Sequence, residues 1–311
     1  MEVLIKNTST DKLMATHNNA RIFFEQLNGN NGDKLIRMGA YEGFRRAGLT
    51  LVETPEEAEI IYINGGFAFS DVWPGGLVKL RHYAQHYVTK PLVILPASFF
   101  FRQTNFPELF HNRSAPTIIY ARERYSLDVI QKLRFPAEVQ VGLDHDMAFR
   151  LSESEYLKEL RAKSAQKHIL IVERFDNETA TGIFDKPMRV PAKRLIPHSF
   201  KAPVKRWMLR RRWEKTEFYH SAVRRVIADN PKLADASIFA GDVSRTDSFS
   251  FDEFGLAVAE SAAVVTTRLH VAILASMLGK STYIKLPSGP VKKIQGIYEY
   301  SLSALPHVQI F

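Results

Sequence analysis

Short apolar runs rich in valine, isoleucine and tyrosine alternate with helix-period stretches along nearly the whole chain, and few folds accept that rhythm. Runs at 20–26, 49–52, 58–64, 91–95, 117–120 and 138–141 read as strands, as do those at 168–172, 236–240, 262–265 and 281–286. Stretches at 34–47, 124–133, 213–229, 251–261 and 291–300 place apolar residues at helical spacing. Strands that alternate with helices predict a parallel sheet wrapped by helices. The alternation pauses over the charged, helix-prone stretch Ser152–Lys167 and then restarts. The expected architecture is therefore α/β, with two Rossmann-like lobes facing a central cleft. One lobe spans 1–155 and the other 156–311, and the last helix is placed to pack back on the first. The first twenty residues read as polar and irregular, apart from a short strand at Glu2–Ile5.

A hydrophobic content of 45% with 24% charged residues is that of a globular protein in water. The opening stretch MEVLIKNTSTDKLMATHNN has no sustained apolar core, and no run reaches the roughly 20 residues of a spanning helix. Cysteine is absent, which excludes disulfides and thiolate metal sites. These features lead us to expect a cytoplasmic protein. The net charge of +9 is concentrated, because Lys186–Trp213 holds ten Lys or Arg and no acid. Without that segment the chain is close to neutral, so the basic balance is not a nucleic-acid signature spread over the fold.

The most informative stretch is Ala262–Lys280, AAVVTTRLHVAILASMLGK. It predicts a buried strand, a tight turn with Thr266 and Thr267 as N-cap candidates, and a helix ending at Gly279. Arg268 and His270 fall in the helix's first turn, where unbonded amides and the helix dipole favour an anion. A guanidinium and an imidazole there suit chemistry on a phosphate or carboxylate. Equally, Arg268 could pair with a structural carboxylate while His270 caps the helix. Arg174, at the end of the 168–172 strand, is a second strand-end arginine, and two guanidiniums can grip a small dianion. His270 is the group best suited to proton transfer near neutral pH.

Other polar groups fall at strand ends, where open α/β sheets bind ligands. They are Asn30, Asp33 (a helix N-cap candidate), Gly65, Gly66, Ser98, Arg122, Asp146 and Asp176, and they form the candidate cleft or acceptor set. Arg174 and Asp176 could instead be a local ion pair, and Arg122 could serve only to cap. Asp144, His145 and Asp146 look like metal ligands, but neighbours on an extended segment point to opposite faces and no further ligand stands at suitable spacing, so no metal is expected. Lys205, Arg206, Trp207, Arg210, Arg211, Arg212 and Trp213 combine charge with aromatic surface. That composition suits an anionic membrane or an acidic acceptor. No nucleic-acid recognition module frames the segment.

Several motifs occur in the order seen in polysaccharide pyruvyl transferases, and the chain resembles that family over about residues 20–300. They are Gly29-Asn-Asn-Gly-Asp33, Asn64-Gly-Gly66, Leu95-Pro-Ala-Ser98, Arg122-Glu-Arg-Tyr-Ser126, Asp144-His-Asp-Met-Ala148, Arg174-Phe-Asp176, and Thr267-Arg-Leu-His270 running to Leu278-Gly-Lys280. The resemblance implies a two-lobed fold similar to GT-B glycosyltransferases. It also implies transfer of the enolpyruvyl carbons of phosphoenolpyruvate to two sugar hydroxyls as a cyclic ketal, with release of phosphate. Arg268, Leu269 and His270 match the family's donor-binding turn and Arg174 its other arginine, with His270 protonating the donor's methylene or assisting proton transfer from the sugar. Phosphoenolpyruvate is then a substrate, and no cofactor is implied. The acceptor is a glycan, lipid-linked if the basic aromatic segment meets the inner face of the membrane. Asn64 departs from the family pattern, standing where a third glycine is usual. The other reading is a glycosyltransferase of similar architecture that uses a nucleotide sugar.

Overall fold

The computed structural model describes residues 7–174 and 214–311, so Glu2–Ile5, Asp176 and the segment from Lys205 to Trp213 lie outside the described residues. In chain order the elements are α1 (Ser9–Thr16), β1 (Arg21–Glu25), α2 (Asn31–Arg46), β2 (Thr50–Leu51), β3 (Ile60–Ile63), β4 (Gly66–Ser70), α3 (Gly75–His86), β5 (Leu92–Phe100), β6 (Thr117–Ala121), α4 (Arg124–Gln131) and β7 (Val139–Leu143). There follow α5 (Glu155–Ala162), β8 (His168–Val172), α6 (Glu217–Asp229), β9 (Ser237–Ala240), α7 (Phe251–Ala259), β10 (Ser261–Thr266), α8 (Leu269–Met277), β11 (Ser281–Ile284), α9 (Lys293–Ile297) and β12 (Val308–Ile310).

The chain divides into two compact units. The first comprises Met1–Gly29, Asp33–Ser154 and Val291–Ser301; the second comprises Asn30–Gly32, Glu155–Pro290 and Leu302–Phe311. Among the described residues each unit holds one parallel sheet. The first is ordered β2-β1-β3-β5-β6-β7, with β4 also paired to β5, and the second β12-β11-β10-β8-β9. The fold is thus α/β with Rossmann-like parallel sheets.

Burial on both faces explains the near-continuous apolar strands. In the first unit Ile60 and Tyr62 of β3 point to a core with Met14, Ile22, Phe24, Ile36, Ala40 and Phe44, which brings in α1 and α2. Ile61 and Ile63 point the other way, to Leu77, Leu80, Leu92, Ile94 and Ile130, which brings in α3 and α4. In the second unit Ile169, Ile171, Ala263, Val265 and Tyr283 pack on Phe218, Ala222 and Val226 of α6.

Several local expectations change. The irregular start contains α1, nucleated by a capping box in which Thr8 accepts from the Asp11 amide and Asp11 accepts from the Thr8 amide. Asp33 is not the N-cap of α2: the helix begins at Asn31, and Asn30 Oδ1 accepts from the Gly32 amide at 2.7 Å. β5 does not stop before Pro96 but runs to Phe100. Register shifts between Ile94 and Ala97 in its pairing with β6 accommodate the residue that cannot donate. The charged stretch at Ser152–Lys167 contains α5, which buries Leu157 and Leu160. Among the described residues no helix is long and apolar enough to cross a membrane.

Candidate active site

The strand order of the second sheet locates the site. The chain leaves β8 toward β9 on one side and β10 on the other, so the carboxyl ends of β8 and β10 flank a topological switch point. Open α/β sheets bind ligands at such a point. Val172 pairs in register with Thr266, so the next residues, Glu173-Arg174 and Thr267-Arg268-Leu269-His270, issue side by side. Hydrogen bonds fix the two ends together. The Thr267 amide donates to the Val172 carbonyl at 3.0 Å, and the Arg174 amide donates to Thr267 Oγ1 at 2.7 Å.

The threonines therefore shape the turn and do not cap the helix. Thr266 Oγ1 accepts from the Arg268 amide at 2.8 Å, and the N-cap position falls one residue later than expected, on Arg268. The N-cap residue Arg268 makes no side-chain cap bond to α8, and the amino end of a helix favours an anion. Every residue of α8 except His270 is buried, which leaves the imidazole as the side chain this helix presents at its amino end.

Arg268 is held by a residue that no motif marks. Its Nε donates to Asp242 Oδ1 at 3.0 Å, and an Nη donates to Oδ2 of the same carboxylate. Asp242 is 1% exposed and Arg268 7%, so the fork is sealed from water and its orientation is set. Asp242 lies in the loop after β9. That loop is fixed in turn by Asn31, whose amide nitrogen donates to the carbonyls of Val243 at 3.0 Å and Phe249 at 3.1 Å. The Asn31 backbone amide also donates to the Ser244 carbonyl at 2.9 Å. Beside it, Gly32 makes room for the imidazole, because a Cβ there would stand 2.4 Å from His270 Nδ1. At the far end of α8, Lys280 Nζ donates to Ser164 Oγ at 2.7 Å, and burial lowers its pKa.

The structure thus gathers Arg174, Arg268, Leu269 and His270 at one switch point and adds Asn31, Gly32 and Asp242. Asn30 belongs to the same unit, through its bond to Gly32. Leu269 is buried and anchors the turn to the core.

In the first unit the switch point lies between β1 and β3. Asp33, Gly65 and Gly66 stand there. Gly66 has φ +107°, and a Cβ on it would lie 3.6 Å from Asp33 Oδ1. Gly65 allows close backbone approach, since a Cβ on it would meet the Pro96 carbonyl oxygen at 2.1 Å. Asn64 is buried and donates to the Gln26 carbonyl at 3.1 Å. Ser98, Arg122 and Asp146 form a buried network, with Arg122 Nε donating to Ser98 Oγ at 2.8 Å and Nη1 to Asp146 Oδ2 at 2.7 Å. These bonds tie together the chain at β5, β6 and the turn after β7.

The neighbours of Asp146 also bond elsewhere. Asp144 Oδ2 accepts from the Thr10 amide at 2.5 Å, and His145 stacks on Tyr300 at 4.5 Å with Nδ1 2.9 Å from Ser301 Oγ. Among the described residues no group of three or more His, Asp or Glu is placed to hold a metal ion.

The model of the polysaccharide pyruvyl transferase family matches residues 11–284. A crystal structure of a functionally uncharacterized protein from Klebsiella pneumoniae subsp. pneumoniae NTUH-K2044 is 20% identical, with a TM-score of 0.60 over 97% of this chain and 96% of that one. At that identity the likeness concerns the fold. No curated protein sequence matches.

Proposed function

The chain belongs to the polysaccharide pyruvyl transferase family, and on that premise we propose that it moves the pyruvyl unit of phosphoenolpyruvate onto two hydroxyls of one sugar in a surface or exopolysaccharide intermediate. The product is a cyclic ketal, and phosphate is released. The observation that supports this reading is the oriented Arg268 beside His270 at the amino end of α8, on the switch point that also carries Arg174. Two guanidiniums and a run of helix amides suit a ligand that carries both a carboxylate and a phosphate.

In the proposed reaction His270 delivers a proton to the donor's methylene carbon, making it a methyl group and leaving the central carbon electrophilic. One sugar hydroxyl adds to that carbon. The bond to the phosphate oxygen breaks, and the second hydroxyl closes the ring. Of the two hydroxyl protons, one restores His270 and the other leaves with phosphate, so atoms and charge balance without a cofactor. Arg268 and Arg174 stabilise the carboxylate and the departing phosphate. The acceptor is a glycan, and the basic aromatic segment between Lys201 and Lys215 suits a lipid-linked one at the inner face of the membrane.

The test is phosphate release from phosphoenolpyruvate with a panel of nitrophenyl glycosides as acceptors. Release that requires both substrates supports the reading. Release of a nucleoside diphosphate from a nucleotide sugar with the same acceptors overturns it.

A further inference from the structure

Among the described residues large exposed apolar side chains are few, and two of them, Trp73 at 40% and Val78 at 66%, stand in the loop after β4 and the first turn of α3. Isolated exposed apolar residues carry little meaning, but an exposed indole and an exposed guanidinium carried on two loops that are bonded to each other can serve recognition. The loop is fixed. Ser70 pairs with Phe100 in register, and the Asp71 amide donates to the Phe100 carbonyl at 3.0 Å. The Asp71 carboxylate then clamps the loop after β5, accepting from the amides of Arg102 and Gln103, the latter at 2.8 Å, and from the Thr104 hydroxyl. Trp73 is thereby held two residues beyond one arm of the clamp, with its own amide donating to Ser70 Oγ at 3.1 Å. Arg102 is the other arm. Its guanidinium lies over the Phe100 ring at 5.2 Å, a cation–π contact that orients an exposed charge. Two residues along the chain from Trp73, a Cβ on Gly75 would meet nothing within 4 Å.

We propose that these two loops form a platform for an anionic sugar residue of the acceptor glycan, one face of the pyranose stacking on Trp73 and its acidic group reaching Arg102. The inference rests on the reading of the chain as a glycan-modifying transferase and names the chemistry of its acceptor. A pyranose offers an apolar face of C–H groups edged by hydroxyls, which suits an amphipathic indole. A carboxylate or phosphate on that ring matches the fixed guanidinium. Both loops lie at the carboxyl edge of a parallel sheet, where such folds bind their ligands.

The probe is a glucuronate-containing tetrasaccharide, titrated calorimetrically into the full chain and compared with its carboxyl-reduced form. Wild type is expected to favour the acidic form. Trp73→Ala should weaken both forms about tenfold, and Arg102→Gln should erase the preference while leaving the reduced form's affinity unchanged. Equal affinity of wild type for the two forms, no binding of either, or an unchanged Trp73→Ala variant overturns the platform. Phosphoenolpyruvate is titrated separately into the same preparations. Its failure to bind wild type counts against the donor reading, whereas loss of saccharide binding alone counts against the platform.

Discussion

Arg268 and Asp242 form a buried two-pronged ion pair, the arginine at the entrance to one helix and the aspartate in a loop that follows a neighbouring strand. The pair gives Arg268 a fixed direction. The same carboxylate compensates the burial of its charge.

Asp242→Ala leaves a buried guanidinium without that partner. Denaturation by urea should show a loss of about 3–5 kcal/mol, the usual cost of breaking one side of such a pair. Asp242→Asn keeps the shape and should fold better, yet hold Arg268 less firmly and bind phosphoenolpyruvate more weakly than wild type. Wild-type stability in Asp242→Ala would contradict the assignment.

Gly32→Ala tests the seat of His270. An added methyl at that helical position helps the helix by up to about 1 kcal/mol. Its Cβ would nevertheless stand 2.4 Å from His270 Nδ1, so the imidazole must move. The expected result is a folded protein whose turnover falls tenfold or more, on the order of a misplaced catalytic group. Unchanged turnover would show that the ring's position is not critical.

Tyr156→Phe should leave stability unchanged or raise it by about 1 kcal/mol, because a buried hydroxyl without a partner costs desolvation. Among the described residues the Tyr156 hydroxyl has no hydrogen-bond partner, its ring stacks on Phe251 at 5.3 Å, and burial pushes its pKa up. A clear loss in the urea midpoint would show that the hydroxyl makes a stabilising contact.

Burial lowers the pKa of His17, His145 and His168 below the ordinary value of 6.5. Between the folded and unfolded values the unfolded chain binds more protons, so stability rises with pH there. The contribution is complete above about pH 6.5 and is lost as pH falls through the folded values. Glu42 is held low chiefly by its hydrogen bond from Arg45, and its contribution is lost in a separate window beginning below 4.5. Urea midpoints from about pH 8 to about pH 5 should therefore decline. His17→Gln, which keeps a group to meet the Tyr62 hydroxyl, should flatten part of that slope. A midpoint that stays constant or rises toward acid would contradict it.

How much of this was readable in the sequence depends on whether a residue's partner is local. The strand, turn and helix around Thr267-Arg-Leu-His270 were legible because β-branched runs and helical spacing are short-range signals. So was the alternation that builds two parallel sheets. The role of Asp242 was not, since its partner lies 26 residues away and a lone aspartate after a strand carries no pattern. Asn31 was hidden for the same reason, because its bonds reach more than 200 residues along the chain. Helix α1 could have been found, since Thr8 and Asp11 have capping-box spacing ahead of Leu13 and Met14. Thr266 and Thr267 were placed at the right turn but in the wrong role. Threonine hydroxyls serve strand ends as readily as helix caps, and only the pairing of β8 with β10 decides between the two.

The central claim is that His270 protonates the donor's methylene so that its central carbon becomes a ketal. The direct measurement is carbon NMR on glycan product formed from phosphoenolpyruvate labelled at that carbon, in deuterated water, with wild type and His270→Ala. Wild type should give label in a quaternary ketal carbon bonded to two sugar oxygens and to a methyl bearing deuterium, and His270→Ala should lose rate by on the order of 10²-fold or more. Label recovered in an enol ether that retains its methylene, or ketal formed at the same rate by His270→Ala, would contradict the account.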